Sequence, residues 1–298
     1  MDRWQAMRVF VKVAETKGFA EAARRLHMSP PAVTRAIATL EETIGARLLV
    51  RTTRSVTLTD AGARFFEDCS RILADLAEAE ASAAGSFATP TGALTITASV
   101  MFGHQYVLPI ILDYLAEHPQ VSIRTLFVDR MVNLVDEGVD LAVRIGNLPN
   151  SGFSALRVGA VRRVVCGSPG YLETNGEPAT PADLADHSVI AATSAWASTE
   201  WRFGQDQKII VHVHPRLYCN TNDAALQGAI KGFGLTRVLS YQAAPSLASG
   251  ALRTVLSAYE EHPLPVHIVH PEGRHAPAKV RTFIDFAAER LRADRRIN

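Results

Sequence analysis

The chain has 298 residues, of which 47% are hydrophobic and 20% charged, enough to build two or three domain cores and unlike the composition of a disordered chain. Its net charge is only +1, no apolar run is long enough to cross a bilayer, and Met1-Asp2-Arg3-Trp4 leads directly into an amphipathic helix rather than a signal peptide. Cys69, Cys166 and Cys219 are odd in number and widely spaced, the pattern of reduced thiols in a cytoplasmic protein, with a redox-sensing thiol as the alternative reading.

Trp4, Met7, Val11 and Ala14 mark a first helix that Gly18 can end. From Phe19 to Leu40 two short apolar-periodic segments are joined by a tight break, His27-Met28-Ser29. In the second segment Val33, Ile37, Leu40 and Ile44 fall on one helical face, so Thr34, Arg35 and Ala38 point elsewhere. Ser29 stands where an N-cap belongs, and Pro30 suits the first helical position, where a missing N–H costs nothing. This is the pattern of a helix-turn-helix, although an ordinary helical hairpin has the same periodicity. Leu48-Leu49-Val50 and Val56-Thr57-Leu58 then read as a hairpin wing, with Arg51 and Arg54 at its tip, placed to meet phosphates. Residues 1–60 hold ten Lys and Arg against six Asp and Glu, so the chain's positive charge is concentrated here.

The run Phe10-Val11-Lys12-Val13-Ala14-Glu15, then Gly18-Phe19, Ala22-Ala23-Arg24-Arg25-Leu26, Ser29, Ala32-Val33-Thr34-Arg35, Leu40-Glu41, Gly45 and Leu58-Thr59-Asp60-Ala61-Gly62 resembles the amino-terminal domain of LysR-type transcriptional regulators. The ordered matches fill the first 62 residues and continue more loosely beyond them. Two positions depart from the family pattern: Pro30 stands where a polar side chain is common, and Leu49 where an aromatic is usual. The resemblance implies a winged helix-turn-helix, a long dimerising linker helix, and a two-lobed α/β effector domain similar to periplasmic binding proteins. It further implies a homodimer or homotetramer.

Residues 60–85 read as one long helix. Thr59 and Asp60 give its start, and Phe65, Cys69, Ile72, Leu76, Ala79 and Ala83 repeat at spacings of 4, 3, 4, 3 and 4. That seam suits pairing of two subunits, or packing within its own domain. Residues 86–92, ending Pro90-Thr91-Gly92, read as a hinge. Beyond it strands and helices alternate: a strand at Leu94–Ala98, a helix from about Gly103 to Glu117, a strand at Val121–Val128, a helix around Val132–Glu137 and a buried strand at Asp140–Ile145. Further helices are expected near Ala224–Lys231, Tyr241–Leu247 and Ala278–Arg292. The expected division is 1–59 for the DNA-binding domain, 60–85 for the linker helix and 93–298 for the effector domain. Lobe one of that domain takes about 93–160 and 267–298, and lobe two about 161–266.

Ligands in such α/β lobes bind beyond the carboxyl ends of strands, beside helix N-termini. Ser99-Val100-Met101 and Thr221-Asn222 answer that description, as possible ligand contacts or as simple helix caps. Arg144, at the end of its strand, offers charge for a carboxylate or a partner for Asp129, and Thr193 and Trp201 are further candidates for the cleft wall. His212, His214, His267 and His270 lack the cysteine or carboxylate spacing of a zinc site and read better as structural or exposed histidines. Gly228, Gly232 and Gly234 do not follow the strand-turn-helix order of a dinucleotide site, and no hydrolase motif is present. No cofactor, metal or catalytic residue is therefore expected.

The sequence thus points to a regulator that binds double-stranded DNA and answers to a small-molecule effector. Ser29, Pro30, Pro31, Thr34 and Arg35 would lie at the major groove, and Arg51 and Arg54 on the phosphates. The competing readings are an enzyme fused to a DNA-binding domain, a ligand-independent architectural protein, and an exported solute-binding protein.

Overall fold

In the computed structural model of the protein, which describes residues 2–51, 56–83, 90–148, 152–192, 199–271 and 276–297, the chain forms two units, Met1–Gly92 and Ala93–Asn298. The Asp2 carboxylate accepts the Trp4 N–H and starts α1 (Arg3–Thr16), which Lys17 ends in the left-handed region. The next helices are α2 (Phe19–Arg25) and α3 (Pro30–Ile44), and between them His27 takes φ 52° to make the tight turn. Gly45, at φ 76°, closes α3 with its N–H on the Glu41 and Glu42 carbonyls. Strands β1 (Leu49–Arg51) and β2 (Val56–Leu58) pair antiparallel, with Val50 opposite Thr57. Helix α4 (Asp60–Ala83) follows. Val9, Phe10 and Val13 of α1 meet Ala22 and Ala23 of α2, Val33, Ala36, Ile37 and Leu40 of α3, and Cys69 of α4 in one core. Phe65 of α4 lies 5.5 Å from Phe10, centroid to centroid, so the start of α4 is part of that core.

The second unit holds two five-stranded sheets. The elements of its first half are β3 (Gly92–Ala98), α5 (Val100–Phe102), α6 (Leu108–Glu117), β4 (Val121–Phe127), β5 (Leu141–Ile145), β6 (Ser154–Val161), β7 (Arg163–Gly167), α7 (Pro169–Asn175) and β8 (Val189–Ala192). The second half has β9 (Glu200–Phe203), β10 (Ile209–His212), β11 (Leu217–Cys219), α8 (Asn222–Ile230), β12 (Leu235–Leu239), α9 (Ser240–Ala248), β13 (Arg253–Val255), β14 (Leu264–His270) and α10 (Ala278–Ala293). One sheet runs β4-β3-β5-β14-β6 and the other β11-β8-β12-β7-β13, while β9 and β10 form a separate hairpin. Strands β3 and β5 are parallel, as are β8 with β11 and with β12; β14, β7 and β13 join antiparallel.

Side-chain alternation explains why each sheet needs cover on both faces. Leu141 and Val143 of β5 point into a core with Phe102, Tyr114 and Phe283, whereas Ala142 between them joins Val132, Leu134 and Val139 on the other face. Val164 and Cys166 of β7 pack with α8 and α9, whereas Val165 packs with Tyr171, Trp201 and Leu235. Helix α10 lies against α6 and β6, and the Ile297 carbonyl accepts the Ala160 N–H at 2.6 Å.

Two local features differ from the sequence expectation. Residues 100–117 run helically, but Gly103–Val107 is a π-type turn between α5 and α6. Pro109 has no N–H to give to an i−4 carbonyl there. Val132–Glu137 is not a helix but a set of turns. The Asn133 side chain accepts from Val135 N and Asp136 N as a helix cap does, but the turn is not continued, since Gly138 at φ 62° ends it. Among the described residues, no helix is long and apolar enough to cross a membrane.

Candidate functional site

Helix α3 presents two faces of opposite character. Val33, Ala36, Ile37 and Leu40 are at most 1% exposed, and Pro30, Pro31, Thr34 and Arg35 stand on the solvent side. Ser29 Oγ accepts the Ala32 N–H at 3.4 Å, and Pro30 and Pro31 fill the first two helical positions, where the backbone N–H would have no partner. With two prolines there, the start of α3 has fewer N–H groups to offer a phosphate than an ordinary helix. Thr34 Oγ1 donates back to the Pro30 carbonyl at 3.1 Å. Arg35 is exposed and takes part in none of the ion pairs among the described residues, whereas Arg24 and Arg25 of α2 are held by Glu21. Those two arginines keep the Glu21 carboxyl below its ordinary range.

Glu41, near the end of α3, fixes the wing. Its Oε1 accepts the Leu48 N–H at 2.8 Å and the Leu49 N–H at 3.1 Å, so the first strand of the hairpin is bonded to the side chain of the exposed helix. Arg51 closes β1 opposite Val56. The tip of the wing with Arg54, and the side chain of Arg51, lie outside the described residues.

In the second unit a cavity of about 120 Å³ opens at the carboxyl ends of β3 and β5. Ser99, Arg144 and Asn222 all line it, joined by Asp129, Tyr241 and Gln242. Ser99 Oγ is buried and makes no hydrogen bond of normal geometry among the described residues. It lies close enough to the Tyr241 hydroxyl to oppose, weakly, the burial that pushes that phenol up to about 12. Tyr241 is therefore a neutral donor throughout the physiological range, and it accepts a hydrogen bond from Gln242 Nε2 at 3.3 Å. Gln242 is 5% exposed and its Oε1 takes the Leu239 N–H at 2.9 Å, which fixes the amide.

Val100 N–H, at the helix start, donates to Asp129 Oδ1 at 3.1 Å, so a carboxylate of the chain itself already occupies one helix donor. Arg144 Nη2 donates to the Val132 carbonyl and Nη1 lies 3.9 Å from Met131 Sδ. No carboxylate pairs with this guanidinium among the described residues, and burial lowers its pKa. The cavity thus combines a half-buried cation, a neutral phenol, a buried hydroxyl and amides, with apolar walls from Val128, Val143 and Ile145.

The remaining sequence candidates fall elsewhere. Thr221 Oγ1 accepts the Ala224 N–H at 3.3 Å and caps α8. Met101 is partly buried against the cores of both sheets, and Trp201, 5% exposed, lines a different cavity that also reaches Asn222. Thr193 lies outside the described residues. Tyr241 and Gln242 carry no local signal in the sequence except a helix start just after a buried strand. No group of three or more His, Cys, Asp or Glu side chains suited to a metal occurs among the described residues. Burial pushes the Cys69 thiol up to about 11 and Cys166 to about 12, which leaves both protonated and unreactive near neutrality.

Residues 4–63 match the family model described as bacterial regulatory helix-turn-helix protein, lysR family, and residues 88–292 match the LysR substrate binding domain. An HTH-type transcriptional regulator of Xanthomonas campestris is 34% identical, over 96% of this chain and 85% of its own length. An uncharacterized HTH-type transcriptional regulator of Haemophilus influenzae is 33% identical, over 94% of this chain and 98% of its own. Among solved structures, CrgA, a LysR-type transcriptional regulator from Neisseria meningitidis, superposes with a TM-score of 0.62 at 27% identity, covering 96% of this chain and 98% of that one. The amino-terminal unit carries the helix-turn-helix domain of this family and the two-sheet unit its substrate-binding domain: the chain belongs to the LysR family of transcriptional regulators.

Proposed function

We propose that the protein binds an interrupted inverted repeat in duplex DNA as a homodimer or homotetramer, and that a small molecule held at Ser99, Arg144 and Asn222 alters that binding or the bend it imposes. The observation that carries the DNA half is the exposure of Pro31, Thr34 and Arg35 on a helix whose opposite face is wholly buried. Pro31 offers apolar contact, and Thr34 and Arg35 offer hydrogen bonds to base edges. Arg35 has no competing carboxylate among the described residues, so its guanidinium is available for a guanine. For the effector half, Arg144 is a half-buried cation without a carboxylate partner among the described residues, which favours an effector bearing a carboxylate. The Tyr241 hydroxyl and the Asn222 amide would then orient the rest of the molecule. The regulator, on this reading, has no catalytic role and works in the cytoplasm.

Selection of binding sites from random DNA with the full chain, followed by titration of Arg35→Ala on the selected site and on random DNA, tests the reading. Loss of a bidentate contact costs roughly 1 to 3 kcal/mol on the selected site and relaxes preference at one base pair. Equal losses on both DNAs would remove Arg35 from base readout. An unselective pool would instead favour the architectural alternative.

A further inference from the structure

Helix α3 begins with its backbone donors absent or engaged. Pro30 and Pro31 have no N–H. The Ala32 N–H bonds the Ser29 carbonyl at 2.9 Å and Ser29 Oγ at 3.4 Å, and the Val33 N–H bonds the same carbonyl at 3.2 Å. The helix end that ordinarily receives a phosphate is therefore closed to one. Between Pro30 and Ala38 the exposed residues are Pro30, Pro31, Thr34, Arg35 and Ala38. Pro31, Thr34 and Ala38 stand three and four positions apart and form one stripe along the helix, with the Pro30 ring at its head and Arg35 beside it.

That stripe is apolar. The Thr34 hydroxyl gives its one hydrogen to the Pro30 carbonyl, 3.1 Å away, which leaves the side chain a methyl and an acceptor oxygen to present. Proline and alanine have no polar side-chain atom at all. A surface of this kind can neither hold a phosphate nor donate to the N7 and O6 acceptors of a guanine. Among the groups that base pairs show in the major groove, the apolar one is the methyl on C5 of thymine, and 5-methylcytosine carries its methyl on the same ring carbon. The stripe is about 10 Å long, so the methyls it can meet lie within about three consecutive base pairs.

We infer that α3 reads the 5-methyl group of a pyrimidine, with the proline rings and the Thr34 methyl closing on it, and that 5-methylcytosine substitutes there for thymine. The inference rests on the DNA half of the proposed function and adds the chemistry that is read beside Arg35. Pro30, a departure from the family pattern, is then a specificity residue and not a lost contact. Methylation of a cytosine at that position makes a binding site where unmodified cytosine gives a poor one.

The test uses the full chain and the site obtained by selection from random DNA. Each thymine is replaced in turn by deoxyuridine, which removes the methyl and keeps the pairing, and at the most sensitive position thymine is compared with cytosine and 5-methylcytosine. Burying one methyl corresponds to about a fourfold change in affinity, so deoxyuridine is expected to weaken binding about fourfold in one half-site and about fifteenfold in both. At the same position 5-methylcytosine is expected to bind about fourfold better than cytosine. Pro30→Ser with Pro31→Ser is expected to bring the thymine-to-deoxyuridine ratio close to one. If that double variant fails to fold, the DNA analogues with the unaltered protein still decide. A half-site without thymine, equal binding of thymine and deoxyuridine throughout it, losses as large in the spacer as in the half-sites, no gain from 5-methylcytosine, or a ratio unchanged in the folded double variant would overturn the inference. An unselective pool overturns the regulator reading along with it, whereas a selected site indifferent to the methyl overturns this inference alone.

Discussion

Glu41 shows how one side chain sets the geometry between a helix and the wing beside it. Its Oε1 takes two consecutive backbone N–H groups, Leu48 and Leu49, which would otherwise be half-satisfied at the start of a short strand. Hydrogen bonds to a charged acceptor contribute about 1.5 to 3 kcal/mol each, less where water competes. Glu41→Ala is therefore expected to destabilise the amino-terminal unit by about 2 to 3 kcal/mol in urea denaturation, and Glu41→Gln by clearly less, because the amide oxygen still accepts. A neutral result for alanine would mean that water replaces the carboxylate at no cost. The sequence marks Glu41 only through family resemblance, since nothing local says which backbone groups lie seven and eight positions on. Ser99, Arg144 and Asn222 were legible for the opposite reason: each lies at a strand end or helix start, where a local rule places ligands. Tyr241 and Gln242 reach the same cavity from the start of another helix, and no local rule links them to it.

Whole elements depend on where the chain comes too close for a side chain. A Cβ on Gly62, in the first turn of α4, would stand 1.9 Å from the Leu48 carbonyl oxygen, a backbone atom that cannot swing aside. Gly170 in α7 faces open space and has ordinary helical backbone. The same substitution should therefore have opposite signs. Gly62→Ala is expected to cost about 2 kcal/mol or more through forced backbone movement, and Gly170→Ala to add roughly 0.5 to 1 kcal/mol by removing glycine's freedom in the unfolded chain. Thermal denaturation followed by circular dichroism reads both, and a stable Gly62→Ala would show that α4 can lift away from the wing without cost. Helices α3, α8 and α10 were visible in the sequence because each has an apolar face at helical spacing. The segment Val132–Glu137 has similar spacing and a cap in Asn133, yet Gly138 at φ 62° stops it after a single turn, too short for a helix.

At the scale of the molecule, the alternation of strands and helices foretold α/β architecture but not the strand order. Strand β14, close to the carboxyl terminus, inserts between β5 and β6, a pairing that spans more than a hundred residues and leaves no trace in local pattern. That strand is also where a response to mild acid is expected. His267 and His270 lie on it with Nδ1 buried and without a hydrogen-bond partner among the described residues. Burial depresses both imidazole pKa values below the ordinary 6.5, and the Arg157 charge adds to the effect at His267. Between the folded and unfolded values the unfolded chain binds protons that the native chain does not, so stability rises with pH across that window and falls as pH drops below about 6.5. The carboxylates held low by their partners, Glu21 by Arg24 and Arg25, Glu137 by Arg130 and Asp294 by Arg296, withdraw their support only at and below the carboxylate range. Calorimetric melting from about pH 7.5 down to about pH 5.5 therefore isolates the two histidines. The melting temperature is expected to fall across that interval, and His267→Gln with His270→Gln together should flatten the fall, since glutamine takes up no proton in either state. An unchanged slope in the double variant would place the acid sensitivity elsewhere than on β14.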